Sequence, residues 1–230
     1  MKRRYKLLLI IFIGAMLTIF INNLRPQNKI NLVSLGDGFS LGMTPYNVAG
    51  YSFNDYLKEE LLTKQLLGDY NNEFSLSHLT IHELNEYMDK NVYGNSSKIP
   101  IKQTLDKADI VTIAIGVDEL ADLSLQGNIN SENINKYITE MSRFLTNLRS
   151  FYTKKIIIIG IYPAYKLDKK DVIEINDKLK KLCGKYQAVF YDCLGIALNA
   201  KYYLTNNSCY FNYEAHKIIA NELLKQLAKN

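Results

Sequence analysis

Apolar positions along this chain of 230 residues fall into two alternating rhythms. Short runs of aliphatic and aromatic residues recur at 31–35, 73–77, 110–115, 155–160 and 188–191. Three of them are continuous aliphatic or β-branched runs, the pattern of strands covered on both faces and hence of a parallel sheet. Between the runs, apolar residues step by three and four over 52–67, 80–90, 133–152, 169–186 and 213–228, as on amphipathic helices. Ile218, Ile219, Leu223, Leu224 and Leu227 carry that spacing in the last one. Strict alternation with right-handed crossovers predicts a three-layer, doubly wound α/β sandwich on a five-stranded parallel sheet, of flavodoxin-like kind. Such sheets bind ligands beyond the carboxyl ends of their strands, so chemistry is expected in segments 36–40, 77–80, 116–120 and 160–164, with 206–212 returning to the same edge.

The N-terminus departs from this alternation. Residues 7–21 (LLLIIFIGAMLTIFI) are apolar and uncharged, preceded by Lys2, Arg3, Arg4 and Lys6. The run falls between a secretory core and a full span of about 20 residues, and Tyr5, Lys6 and Leu24 extend it toward the two interfaces. No small-x-small cleavage site follows it, and no cysteine lies near enough for lipid attachment. The expected organisation is a cytoplasmic basic segment (1–6), a transmembrane signal anchor (7–24), a linker (25–30) and one domain (31–230). The basic cluster places that domain outside the cytoplasm, on a single-pass protein of the cell membrane.

Composition adds little. The 28 basic and 23 acidic residues leave a net charge of +5 and a pI near 8.9. The densest basic cluster is the N-terminal one, and the other lysines are spread as on solvated helix surfaces, so no nucleic-acid partner is expected. Cys183, Cys193 and Cys209 are odd in number and lack metal-type spacing. A Cys193 to Cys209 bridge and small buried thiols both stay open. His78 and His82, four residues apart, fall short of a zinc set without a third ligand. No metal and no cofactor are expected.

Four segments carry a resemblance. Residues 32–45 (LVSLGDGFSLGMTP) resemble the first block of the SGNH/GDSL hydrolases, the lipase and esterase family in which a strand runs into Gly-Asp-Ser and a turn that opens a helix. The family's nucleophilic Ser falls on Gly38. Asp37 is read as structural, accepting backbone N–H bonds in the turn. Residues 77–84 (SHLTIHEL) are similar to the second block, and the Gly whose N–H helps bind the oxyanion there falls on His78, whose side chain is expected to fill the pocket. Residues 109–120 (DIVTIAIGVDEL) resemble a strand ending in Gly-x-Asn-Asp. Gly116 keeps its place, while the Asn whose amide donates to the oxyanion falls on Asp118; an ionised carboxylate offers acceptors only. Residues 207–220 (NSCYFNYEAHKIIA) resemble the closing Asp-x-x-His-Pro-Asn block, which puts Asn207 at the Asp, Tyr210 at the His and Phe211 at the Pro. His216 lies two turns further on, on the helix, and is expected to face solvent or sheet.

The resemblance implies an ester-hydrolase fold without an intact catalytic set: Gly38, Asn207 and Tyr210 replace the triad, and His78 and Asp118 replace oxyanion elements. It implies a binding or scaffold protein whose old cleft survives as a pocket lined by Asp37, Gly38, Ser40, His78, Gly116, Asp118, Tyr162 and Tyr210, with Pro163 and Tyr165 in the same loop. Tyrosines beside a carboxylate suit a glycan; a lipid or protein at the cell surface is the other expected partner. Two competing readings are an extracellular esterase, lipase or carbohydrate O-deacetylase with a relocated nucleophile, Ser40 first, and a purely structural partner in a membrane complex.

Overall fold

The computed structural model describes residues 29–164, 167–205 and 209–227. The expected anchor and the linker up to residue 28 lie outside the described residues, as do Tyr165 and Asn207. Five strands, β1 (Ile30–Gly36), β2 (Leu67–Ser75), β3 (Ile110–Ala114), β4 (Lys155–Ile159) and β5 (Val189–Tyr191), pair in parallel in the order β2-β1-β3-β4-β5. The helices are α1 (Gly38–Leu41), α2 (Phe53–Thr63), α3 (Ile81–Lys90), α4 (Ile101–Lys107), α5 (Val117–Leu125), α6 (Ser131–Arg149), α7 (Lys169–Lys185), α8 (Leu194–Ala197) and α9 (Tyr213–Leu227). Helix α2 packs on α9, while α3 and α7 both pack on α6. With right-handed crossovers these are the two outer layers of the expected sandwich. The strand order reverses between β1 and β3, which marks the ligand crevice of such sheets.

Burial follows the strand patterns. All five residues of β3 and four of the five in β4 are buried, and the sandwich core is built on Ile113, Ile157, Leu57, Leu145 and Ile219. Strand β2 is an edge: most of Leu67–Ser75 is polar and half-buried or exposed, and only Phe74 and Ser75 are buried. The apolar rhythm catches only its end, at 73–77, because an edge strand needs no continuous apolar run. The helix expected over 52–67 stops at Thr63, since Gln65 has a left-handed φ of 58° and Leu66 and Leu67 already turn into β2. The periodicity gave no sign of α4, one short helix after Pro100, or of α8. Segment 116–120, where chemistry is expected just after β3, comprises the Gly116 cap and the first turn of α5. Among the described residues no helix is long and apolar enough to cross a membrane.

Candidate active site

The site grows from two tight exits at the carboxyl ends of β1 and β3. Gly36 leaves β1 at a φ of 153°, and a Cβ there would lie 1.9 Å from the Ala114 carbonyl oxygen. Only glycine lets the two strands stay this close. Gly116 leaves β3 at a φ of 105°, and a Cβ there would meet the Tyr137 ring at 2.5 Å. Tyr137 is itself buried and donates to the Ile115 carbonyl at 2.9 Å. The glycines therefore fix where the next residues, Asp37 and Val117 to Glu119, begin.

Asp37 is fully buried and ties the two exits together. Its Oδ1 accepts from the Phe39 N–H at 3.0 Å, capping α1, and its Oδ2 accepts from the Gly116 N–H at 2.8 Å and the Asp118 N–H at 3.2 Å. Burial and then the neighbouring Asp118 carboxylate push its pKa up to about 8, against the pull of those three donors. Its geometry is that of a turn-holding group pointing into the protein, away from any substrate.

Asp118 supplies the central feature. Its Oδ2 accepts from the Gly38 N–H at 3.0 Å and from the His78 N–H at 3.1 Å. These donors come from the turns after β1 and β2, 80 and 40 residues away in sequence, and they converge on one oxygen. Two backbone N–H groups aimed at one point form an oxyanion-binding arrangement, and here the protein's own carboxylate fills that point. Glu119 turns the other way, accepting from the Ile81 N–H at 3.1 Å at the start of α3, with its pKa raised by burial. The adjacent carboxylates thus serve different elements and form no acid pair.

His78 requires a correction. Its side chain does not enter the pocket: it is 65% exposed, with Nδ1 4.0 Å from Asp122. The backbone holds a left-handed φ of 58°, a conformation that favours Gly. The N–H therefore keeps the donor position despite the side chain. His82 lies instead near Glu86 and Glu140, at 3.9 and 3.6 Å, and the two imidazoles do not share a helical face because α3 begins only at Ile81. Among the described residues no cluster of three or more His, Cys, Asp or Glu is arranged to hold a metal.

Ser40 lies beneath the turn, 3% exposed. Its hydroxyl is 2.8 Å from that of Ser34 and 3.2 Å from that of Ser75, and it accepts from Asn54 Nδ2 at 3.2 Å. Asn54 in turn accepts from Thr112 at 2.7 Å. This is a buried hydroxyl network without an imidazole on the serine.

The expected open cleft is also corrected. Gly38, Asp118, Tyr162 and Tyr210 do line one depression, together with Phe39, Gly42, Met43, Phe211 and His216. Asp37, Ser40 and Gly116 sit behind it, and the His78 side chain stays outside. Its free volume is about 10 Å³, roughly one water position. Aromatic rings fill the rest: Tyr162 stacks on Phe211 at 4.3 Å, and Phe39 meets Tyr162 edge-on at 4.9 Å and Phe53 at 5.3 Å. Tyr162 is spent structurally, donating to the Cys209 carbonyl at 3.1 Å, and burial raises its pKa well above the usual phenol value. Tyr210 is half-buried at the rim.

Of the two expected orientations, solvent or sheet, His216 takes the inward one. It is 4% exposed, and its Nδ1 accepts from the Phe53 N–H at 3.1 Å. Burial lowers its pKa to about 4, so the ring is neutral near pH 7 and its acceptor nitrogen is occupied. Asn212 caps α9, accepting from the Ala215 N–H at 3.1 Å and donating to the Lys201 and Tyr203 carbonyls. Cys183 and Cys193 are buried free thiols, and Cys193 donates to the Gly160 carbonyl at 3.2 Å; no bridge joins it to Cys209.

A 2-1-3-4-5 parallel sheet, with Gly-Asp leaving β1 and an N–H pair converging beside the turn after β3, defines the SGNH-hydrolase class of α/β proteins. The chain belongs to the GDSL-like lipase/acylhydrolase family, whose sequence profile matches residues 32–223. Its fold is similar to that of an acetylxylan esterase of Geobacillus stearothermophilus, with a TM-score of 0.64 and 14% identity over 89% of this chain and 97% of that one. A lipase/acylhydrolase of Enterococcus faecalis gives a TM-score of 0.65 at 14% identity over 86% and 95% of the two chains. The lipase Lip_vut3 from a goat rumen metagenome gives 0.66 at 18% identity over 86% and 97%. No functionally curated protein matches the sequence.

Proposed function

We propose that this chain is a catalytically silent member of its family, anchored in the cell membrane by residues 7–24, whose extracytoplasmic domain is a binding or scaffold module for a cell-surface glycan, lipid or protein. The observation that carries the reading is the Asp118 carboxylate bonded to the Gly38 and His78 N–H groups. In ester hydrolysis those donors serve an oxyanion that forms only in the transition state, and losing one such donor costs about 10²–10³ in rate. Here both donors are already engaged, and the group engaging them repels a second anion. The absence of a hydroxyl at Gly38 and the buried setting of Ser40 support the same reading. The depression is narrow among the described residues, about 10 Å³, which favours a partner at the outer surface of the domain. The anchor rests on the sequence alone: an uncharged apolar run behind four basic residues.

The test is hydrolysis of short-chain aryl esters by the chain from Gln27 to Asn230, beside a variant with Gly38→Ser, Asn207→Asp, Tyr210→His and Asp118→Asn, both verified as folded. The fourth change removes the charge at residue 118 and supplies an amide donor in place of an acceptor-only carboxylate; the Cβ of residue 38, 2.7 Å from the present Asp118 Oδ2, requires that side chain to turn aside as well. The natural chain is expected to turn over nothing and the variant to gain activity. Turnover by the natural chain that disappears on changing Ser40 or His78 would overturn the proposal in favour of an esterase with a relocated nucleophile.

A further inference from the structure

The end of the sheet opposite the candidate site carries an apolar groove that the function above does not use. It measures about 320 Å³ and is lined by Ile30, Leu61, Leu66, Leu224 and Leu227, with Lys64 and Lys225 at its rim. It lies where β1 begins. The seven residues of β1 run from Ile30 on the groove to Gly36 at the site, about 20 Å at strand rise.

We infer that this base docks onto the outer surface of the bilayer and that the groove takes acyl-chain and anionic-headgroup contacts. The inference rests on the anchor proposed above. Only residues 25–29 separate Leu24, the end of the apolar segment, from Ile30 on the wall of the groove. Even fully extended they bridge about 20 Å, so the anchor holds the base close to the membrane and the candidate site away from it. All five strands run the same way, so the residues just before them share the base, where Lys29, Lys107 and Lys154 stand against Asp106 and Asp109. Lys154 pairs with Asp109 at 3.0 Å, Lys64 with Glu60 at 4.0 Å and Lys225 with Glu222 at 2.6 Å. Such exposed pairs are weak and yield readily to headgroup phosphates, while lysine stems cover apolar surface and leave the ammonium at the interface.

The chain contains no tryptophan, so one introduced indole reports its own position. Full-length chains carrying Leu227→Trp in the groove, Tyr46→Trp at the site end, or Phe20→Trp within the apolar segment are reconstituted in vesicles of phosphatidylcholine and phosphatidylglycerol. Quenching by brominated acyl chains is then measured. Leu66→Trp on the opposite wall provides a second groove reporter should Leu227→Trp disturb folding. Quenching several-fold stronger at Leu227 than at Tyr46, reduced in phosphatidylcholine alone or by Lys64→Glu with Lys225→Glu, is the expected result. Quenching at Phe20 with none at Leu227 or Leu66 would leave the anchor standing and overturn the docking, giving the groove to another segment or a second copy. No quenching at Phe20 would remove the anchor, and this inference with it.

Discussion

If Asp118 occupies the oxyanion position, restoring the family's serine must cost stability for a specific reason, and a second substitution must abolish that cost. Gly38 lies in the short helix α1 outside the left-handed region, so a Ser there meets no backbone strain. It meets the carboxylate: the new Cβ falls 2.7 Å from Asp118 Oδ2 and 3.2 Å from Met43 Cγ. The carboxylate must leave, and two N–H bonds of 3.0 and 3.1 Å are lost with it. Hydrogen bonds to charged groups contribute about 1.5–3 kcal/mol each, and partial exposure argues for the lower end, so the gross loss is about 3 kcal/mol. Two effects offset it. Replacing Gly in a helix gains about 0.5 kcal/mol, and moving Asp118 relieves the repulsion that, after burial, raises the Asp37 pKa. The net cost of Gly38→Ser is therefore about 2 kcal/mol by this reckoning.

In an Asp118→Ala background the position is empty, and the same Gly38→Ser change costs less than about 0.5 kcal/mol. The coupling, about 2 kcal/mol, is the quantity to measure. Urea unfolding of the four chains of this cycle, followed by far-ultraviolet circular dichroism near neutral pH, gives it directly. Equal costs of Gly38→Ser in both backgrounds would refute the reasoning, since they would mean that the carboxylate does not stand where the serine must go.

Three further outcomes follow from the same geometry. His216 has a folded pKa of about 4 against 6.5 unfolded, so its contribution is present above pH 6.5 and is lost as pH falls toward 4, about 3 kcal/mol in all; His216→Gln should flatten that part of a stability-versus-pH curve, and an unchanged curve would contradict the burial argument. Gly116→Ala combines a φ of 105° with a Cβ 2.5 Å from the Tyr137 ring and should lower stability by about 3 kcal/mol or more, whereas a loss under about 1 kcal/mol in a denaturant titration would show that the exit from β3 is looser than described. Ser40→Ala removes one member of a buried hydroxyl network and should cost about 1 kcal/mol with ester turnover at background before and after the change; turnover above background in the natural chain that Ser40→Ala abolishes would make Ser40 a reacting group.

The alternation of apolar runs and amphipathic stretches was enough to place the parallel sheet and the five longest helices, because buried strands and two-sided helices impose their periods directly on the sequence. It was not enough for β2, whose polar edge position leaves no such imprint, nor for the short helices α4, α5 and α8. The glycine turns were legible for a related reason: Gly36 and Gly116 stand where no other residue fits, and the sequence blocks that carry the resemblance are built around them. What a side chain does with the space those turns create was not legible. That Asp118 offers acceptors follows from its type; that it faces the N–H groups of Gly38 and His78 depends on three strand exits meeting, which no local window contains. His216 left a trace that sequence reasoning missed, since it shares the buried stripe of Ile219, Ala220 and Leu223 on α9.

The same distinction bears on what the replacements mean. At residue 78 the resemblance counts a lost glycine, yet the function of that position resides in a backbone N–H, and the chain keeps it by holding His78 at a φ of 58°. At residue 118 one atom type changes, amide nitrogen to carboxylate oxygen, and the consequence is larger than the loss of a donor because the new group binds the two donors that remain. With the Asp118 carboxylate where it stands, a side chain at residue 38 lacks room, and the rings of Phe39, Tyr162 and Phe211 pack above it. The altered positions are therefore mechanically linked: with the Asp118 carboxylate on the Gly38 and His78 N–H groups, a glycine at residue 38 and rings packed beside it are the better-packed solution.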